Sequence, residues 1–247
     1  MESVEQVNFL KVKISNVSME QIPEILYSLL ETGESKHIVL LSIWDLLRAR
    51  KNNEYRTYVQ NATLVIPISK SIIGGIRFLT GKTVHRVMPF DFFIKVLSAL
   101  EERGKSVYLL GAHLKSLKLA ERNIRHTFPR LRIVGRCTGD FKRQEEPAIL
   151  TAIRKASPSL LLVSKGVQGD ERWLARNKAN FGPGIQIWCS DLFDIFAERK
   201  KRPGKKTFEH GLEWIGYTLH KPLLIFRFFP YLYFKILLLY YKVFRRG

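Results

Sequence analysis

The side chains of this chain that are equipped for chemistry fall just after short apolar runs. Ser42 to Asp45, Pro67 to Ser71, Gly111 to His113, Ser164 to Glu171 and Ser190 to Asp194 each follow such a run. Gly111-Ala112-His113 would precede a helix, so its backbone amides could hold a phosphate, or it is only a tight turn. Arg86, a few residues before Asp91, reads as a bidentate phosphate partner or as a surface arginine. Asp191 and Asp194 could contact sugar hydroxyls, or Asp194 could cap the next helix. Neither a G-x-G-x-x-G fingerprint nor a Walker loop occurs, which argues against a dinucleotide or ATP enzyme. No Cys/His spacing suggests a zinc site, and no metal or cofactor is expected.

These positions take their meaning from the elements around them. Apolar runs at 37–41, 64–66, 106–110, 131–134, 160–163 and 185–188 read as buried strands. Helical spacing marks 18–30 with Ser18 as cap, 46–60, 71–79, 91–103, 114–128, 146–155 and 171–180. Residues 10–14 with Val17 read as a short strand or hairpin. Strands alternating with helices at this interval imply βαβ units and a mainly parallel sheet, so the fold class is α/β. In such sheets ligands bind beyond the carboxyl ends of the strands, which is where the residues above lie.

Charge separates the chain into two parts. The 247 residues carry a formal net charge of +19. From Arg199 to Gly247 there are twelve Lys/Arg against Glu209 and Glu213, a balance of +10 in a fifth of the chain. The reading is an α/β domain over 1–198 and a basic, aromatic, membrane-associating appendage over 199–247. Lys200, Lys201, Lys205 and Lys206 would meet anionic lipid. Arg227, Phe228, Phe229 and Lys235 belong to a segment rich in aromatic and aliphatic residues. Its charges interrupt any run of the roughly 20 apolar residues that a membrane span needs, so an in-plane interfacial helix fits better. Docking on the protein's own core or on a second subunit, in a homo-oligomer, is the competing reading. Nucleic acid is a poorer partner, because clusters such as Ile236-Leu-Leu-Leu239 offer little to a phosphate backbone. Two cysteines, Cys137 and Cys189, suit a reducing cytoplasm. The acidic start Met1-Glu2-Ser3-Val4-Glu5 lacks the pattern of a signal peptide.

Several segments in order resemble the WecG/TagA/CpsF glycosyltransferases. Val107-Tyr-Leu-Leu-Gly111, Phe128-Pro129, Leu131-Arg-Ile-Val-Gly135 and Gly139-Asp-Phe141 look like that family's central unit. Phe193-Asp-Ile-Phe-Ala197, Arg199, Arg202 and Gly211-Leu-Glu-Trp214 look like its C-terminal signature. Ala62-Thr-Leu-Val-Ile-Pro67, with Arg86 and Asp91, fits the upstream part. The resemblance implies a Rossmann-like layered domain at the cytoplasmic face of a bacterial inner membrane, peripherally bound. It implies inverting transfer of an N-acetylhexosamine from a UDP-sugar, the nucleotide sugar, to a polyprenyl-diphosphate-linked acceptor in cell-envelope polysaccharide synthesis. Arg86 and Arg202 would neutralise the diphosphate, Asp45, Asp91 or Asp170 could substitute as base, with Asp91 taken as the candidate, and Ser42, Gly111, Glu171, Asp194 and Arg199 would bind substrate. The family's Pro-Asp-Gly, whose aspartate is its candidate base, reads Pro67-Ile68-Ser69 here. Its Thr-x-Asn reads Ser42-Ile43-Trp44, and its Pro-Lys-Gln-Glu reads Gln168-Gly169-Asp170-Glu171. These departures make a divergent transferase the leading expectation and a non-catalytic glycan-binding or scaffold member the alternative.

Overall fold

The computed structural model describes residues 4–51, 53–202, 204, 208 and 229–244. It opens with a hairpin, β1 (Gln6–Phe9) and β2 (Val12–Ser15), whose two-residue loop puts Leu10 and Lys11 at φ 47° and 72°. Then come α1 (Ile22–Glu31), β3 (Ser35–Leu41), α2 (Ile43–Ala49), α3 (Glu54–Gln60), β4 (Leu64–Pro67), α4 (Lys70–Thr80) and α5 (Pro89–Glu102). The second half runs β5 (Ser106–Leu110), α6 (Leu114–Thr127), β6 (Arg132–Cys137), α7 (Glu146–Ala156), β7 (Leu160–Ser164), α8 (Glu171–Asn177), β8 (Gly184–Ser190) and α9 (Leu192–Phe196). The last described element is α10 (Phe229–Phe244).

Six strands form one parallel sheet in the order β4-β3-β8-β7-β5-β6. Alternate residues of a strand point to opposite faces, and both faces are covered. In β7, Leu160 and Leu162 pack beneath α1, α5, α6 and α9, whereas Leu161 and Val163 pack against the hairpin, α2, α3, α4, α7, α8 and α10. A strand buried on both sides needs no polar alternation, which is why the apolar runs were readable as strands.

Two expected helix boundaries differ. The segment 46–60 is two helices, because Asn53 caps a new one: its Oδ1 accepts from the Arg56 amide at 2.9 Å. Ser18 is not the cap of α1; Gln21 is, and its side chain reaches back to the Ser18 amide at 3.0 Å.

The sheet splits open where consecutive connections diverge. After β3 the chain turns to one face through α2; after the neighbouring β8 it turns to the other through α9. Between β5 and β7 the connections also diverge, but the loops fill that gap with backbone. The Ala112 amide donates to Lys165 O at 2.6 Å and the Gly139 amide to Ala112 O at 3.0 Å. A Cβ on Gly111 would stand 2.6 Å from Ser164 O, so this closure depends on glycine.

Helix α10 lies along α4 and α2. Phe234 and Leu237 are buried there, with Tyr231, Leu238 and Tyr241 packed beside them. Its other face leaves Phe229, Leu232, Ile236, Leu239, Val243 and Phe244 exposed. Helix α10 therefore divides into a docked stripe and an open one. Among the described residues no helix is long and apolar enough to cross a membrane.

Candidate active site

A cleft of about 440 Å³ opens at the carboxyl ends of β3, β4, β7 and β8. A wider groove of about 940 Å³ lies between α7 and α8. Its acid, Glu146, is turned inward and satisfied by Trp173 Nε1 at 2.6 Å and Asn177 Nδ2 at 3.0 Å. The cleft is the better candidate, because buried carboxylates with displaced protonation converge there beside cations.

One group of cleft residues is acidic and phenolic. Ser42 ends β3 and caps α2 in a reciprocal arrangement with Asp45. The Ser42 amide and hydroxyl donate to Asp45 Oδ2 at 3.1 and 2.5 Å, and the Asp45 amide donates to Ser42 Oγ at 3.3 Å. Burial lifts the Asp45 carboxyl above the usual range, against the opposing pull of the Ser42 hydrogen bonds. Glu171, the first residue of α8, is 8% exposed and pairs with Arg48 at 2.8 Å. Burial also raises its carboxyl, with the charges of Asp45 and Asp170 adding to the effect and Arg48 opposing it. The Arg48 guanidinium sits 3.8 Å from the centroid of the Tyr55 ring. The Tyr58 hydroxyl is buried without a partner among the described residues, and burial pushes its ionisation upward.

The other group is cationic. Asp191, at the end of β8, pairs with Lys165 at 2.6 Å and with Lys200. Burial would raise the Asp191 carboxyl, but the two ammonium groups outweigh it and hold it below the usual range. Arg202 lines the cleft with its guanidinium 5.2 Å from the Phe90 ring centroid. Ile68, Met88 and Phe93 supply apolar wall. Arg86 stands behind that wall. Its Nε donates to Ile68 O at 2.9 Å, it also donates to Phe208 O, and it stacks 3.5 Å from the Phe208 ring centroid.

The residues singled out in the sequence therefore part company. Ser42, Glu171 and Arg202 line the cleft, and Arg86 braces it. Asp91 is exposed on the first turn of α5, outside the lining. The Gly111 amide donates to Cys137 O at 3.0 Å and the Ala112 amide to Lys165 O at 2.6 Å, so these two are engaged within the fold, and Gly111 is not part of the cleft lining. Asp194 lies inside α9, whose cap position is Asp191, and is not part of the lining. Arg199 turns away to Ser116 Oγ at 3.2 Å. Lys200 reaches Asp191, while Lys201, Phe229 and Lys235 are exposed. Lys205, Lys206, Arg227, Phe228 and the Gly211–Trp214 signature lie outside the described residues. Of the three carboxylates read as possible replacement bases, Asp45 and Asp170 line the cleft and Asp91 does not; Lys165 was not singled out, although it falls in a segment that follows a strand. Among the described residues no three His, Cys, Asp or Glu side chains are grouped so as to hold a metal ion.

A cleft with two cationic side chains and several carboxylates suits a phosphorylated, hydroxyl-rich ligand: guanidinium and ammonium for phosphate, carboxylates for hydroxyls. Comparison with known proteins points the same way. Two curated relatives, from Bacillus subtilis (strain 168) and Bacillus spizizenii, are each 22% identical over 174 residues, covering 70% of this chain and 67% of theirs. Each is named an N-acetylglucosaminyldiphosphoundecaprenol N-acetyl-beta-D-mannosaminyltransferase. The profile of the glycosyl transferase WecG/TagA/CpsF family matches residues 7–247, and the chain belongs to that family.

Proposed function

We propose that this chain transfers an N-acetylhexosamine, of the N-acetylmannosamine type, from a nucleoside diphosphate to a polyprenyl-diphosphate-linked N-acetylglucosamine in cell-envelope polymer synthesis. The names of the two relatives support the substrate class. The observation that carries the reading is the cleft itself, where Lys165 and Arg202 stand beside Asp45, Glu171 and Asp191 at the strand ends. As the glycosidic bond to the diphosphate breaks, negative charge grows on the departing phosphate oxygen. Fixed cations aimed at that charge lower the barrier without having to reorganise. Arg202 and Lys165 supply them. Arg86 positions the wall, holding the end of β4 against Phe208. Glu171, held by Arg48, orients sugar hydroxyls as an acceptor.

The acceptor is a lipid, so the cleft must work at a membrane. The open face of α10 supports an in-plane contact, since apolar side chains recur along it beside the exposed Lys235. A sixteen-residue helix is about 24 Å long at 1.5 Å per residue, less than the roughly 30 Å of a bilayer core. We place the protein peripherally on the cytoplasmic face of the inner membrane.

The test is UDP release from UDP-N-acetylhexosamines with and without a polyprenyl-diphosphate N-acetylglucosamine. Release should require both substrates, and Arg202→Ala should lower kcat by about 10²-fold, as for loss of one charge-stabilising donor. A protein that binds UDP-sugars yet releases no UDP with any donor would instead be the non-catalytic member of the family.

A further inference from the structure

We infer that Asp45 is the general base that takes the acceptor hydroxyl proton, an assignment that rests on the transfer reaction proposed above. The argument is elimination among the cleft's own carboxylates. Among the described residues four line it: Asp45, Asp170, Glu171 and Asp191. A base must be anionic and free to take a proton, and an ion pair both opposes protonation and occupies the carboxylate oxygen. Asp191 is held by Lys165 and Lys200. Glu171 is already engaged by Arg48 at 2.8 Å, whose charge opposes the rise that burial gives this carboxyl. Asp170 is exposed at the lip, where water solvates it. Asp45 has no ion-pair partner among the described residues. Arg48, three positions on along α2, pairs with Glu171, and its charge opposes the rise of the Asp45 carboxyl without forming an ion pair with it.

What Asp45 has in place of a cation is a neutral clamp. Both bonds from Ser42 go to Oδ2, which fixes the carboxylate's orientation. The Tyr55 hydroxyl is also within hydrogen-bonding reach. The site lies at the first turn after β3, beside the end of β4, where the Ile68 amide donates to Leu41 O at 3.0 Å and the Ile68 side chain brings no proton acceptor. Burial keeps the Asp45 carboxyl more basic than an ordinary aspartate, consistent with this placement.

The step balances as follows. The acceptor oxygen attacks the anomeric carbon as its proton passes to the Asp45 carboxylate. The new carbon–oxygen bond forms while the bond to the donor diphosphate breaks, its electron pair leaving on the β-phosphate oxygen. Asp45 then returns the proton to solvent.

Asp45→Asn is the decisive variant, because the amide oxygen still accepts both Ser42 bonds and only the basicity is removed. With melting temperature and donor Kd near the wild type, kcat should fall by about 10²-fold or more. Ser42→Ala gives a second readout independent of the height of the rate. Losing the hydroxyl that favours the anion should move the acid limb of the kcat–pH profile to higher pH. Asp45→Asn within threefold of wild-type kcat overturns the assignment and leaves the transfer reaction standing, as does Glu171→Gln abolishing transfer while Asp45→Asn spares it. An acid limb that Ser42→Ala leaves in place also overturns it. Wild-type protein that binds donor but transfers to no polyprenyl-diphosphate acceptor overturns both.

Discussion

Glycine 75 offers a substitution whose sign reports whether α10 is docked. In the interior of an isolated helix, replacing glycine by alanine stabilises by about 0.5–1 kcal/mol, through lost backbone freedom in the unfolded chain. In α4 a Cβ at position 75 would lie 2.7 Å from Phe9 Cζ, 2.9 Å from Phe234 Cζ and 3.2 Å from Leu238 Cδ2. Ordinary contact begins at 3.4 Å, so the two rings are too close by 0.7 and 0.5 Å. Neither has room to retreat: Phe9 is 1% and Phe234 2% exposed, and the rings meet edge to face at 6.2 Å. Overpacking of this kind costs about 1–3 kcal/mol. The net for Gly75→Ala is then a loss of up to about 2.5 kcal/mol, the opposite sign to helix propensity. Phe234→Ala alone should cost about 3–5 kcal/mol, less if α10 simply lifts. In that background the Phe9 ring can swing aside, and Gly75→Ala should become neutral or stabilising. Urea unfolding of the four proteins measures the cycle, with an expected coupling of about 1–3 kcal/mol. If Gly75→Ala instead stabilises the wild type by the full propensity gain and the two changes add, the helix does not pack on α4 as described.

The remaining predictions concern acid and lipid. His37 on β3 is 4% exposed, with Nε2 2.9 Å from Tyr58 O and Nδ1 buried without a partner among the described residues, and burial pushes its pKa down to about 4. The unfolded chain, at the ordinary 6.5, takes up the proton first, so stability falls as pH drops from about 6.5 and the loss is complete below about 4. The gap is worth about 3 kcal/mol in all, of which about 2 should be lost between pH 7 and 5. His37→Gln should flatten that part of the profile, and an unchanged slope in the variant would refute the assignment. For the open face of α10, Ile236→Glu with Val243→Glu should cut retention on anionic vesicles about tenfold or more, since each side chain contributes over 1 kcal/mol when buried. Thermal stability should stay within about 0.5 kcal/mol, because neither residue is packed. Wild-type protein that fails to float, or a variant that floats equally, would remove the membrane contact.

Most strands of the parallel sheet were readable because they are short apolar runs buried on both faces, as β5 and β7 show; β6, at the sheet edge, is only partly covered. Most helices were readable from their spacing. The break at Asn53 was not, because a side chain that caps also fits a continuing helix by periodicity alone. The site was only half readable. Segments following strands pointed to the right end of the sheet, and Ser42, Glu171 and Arg202 do meet there. Asp91 was attractive for its nearness to Arg86 in sequence, but it sits on the outward side of α5. Gly111 was attractive as a strand-ending glycine. Its role is to let two loops touch, as the 2.6 Å approach to Ser164 O requires.

The sequence by itself determined the α/β class, the parallel sheet, the concentration of positive and aromatic residues after 199, and the family. All of these are written in local runs, spacings and short ordered motifs. The tertiary structure alone decided which buried carboxylate of the cleft is left outside an ion pair and which face of the last helix is left open. Asp45, Glu171 and Asp191 come from three elements far apart in the chain, and the cations that pair with two of them arrive by packing. Likewise, Phe234 and Ile236 are two residues apart in one apolar stretch, yet Phe234 packs over Gly75 and against Phe9 while Ile236 faces outward. Pairing and burial act through space, and spacing along the chain does not encode them.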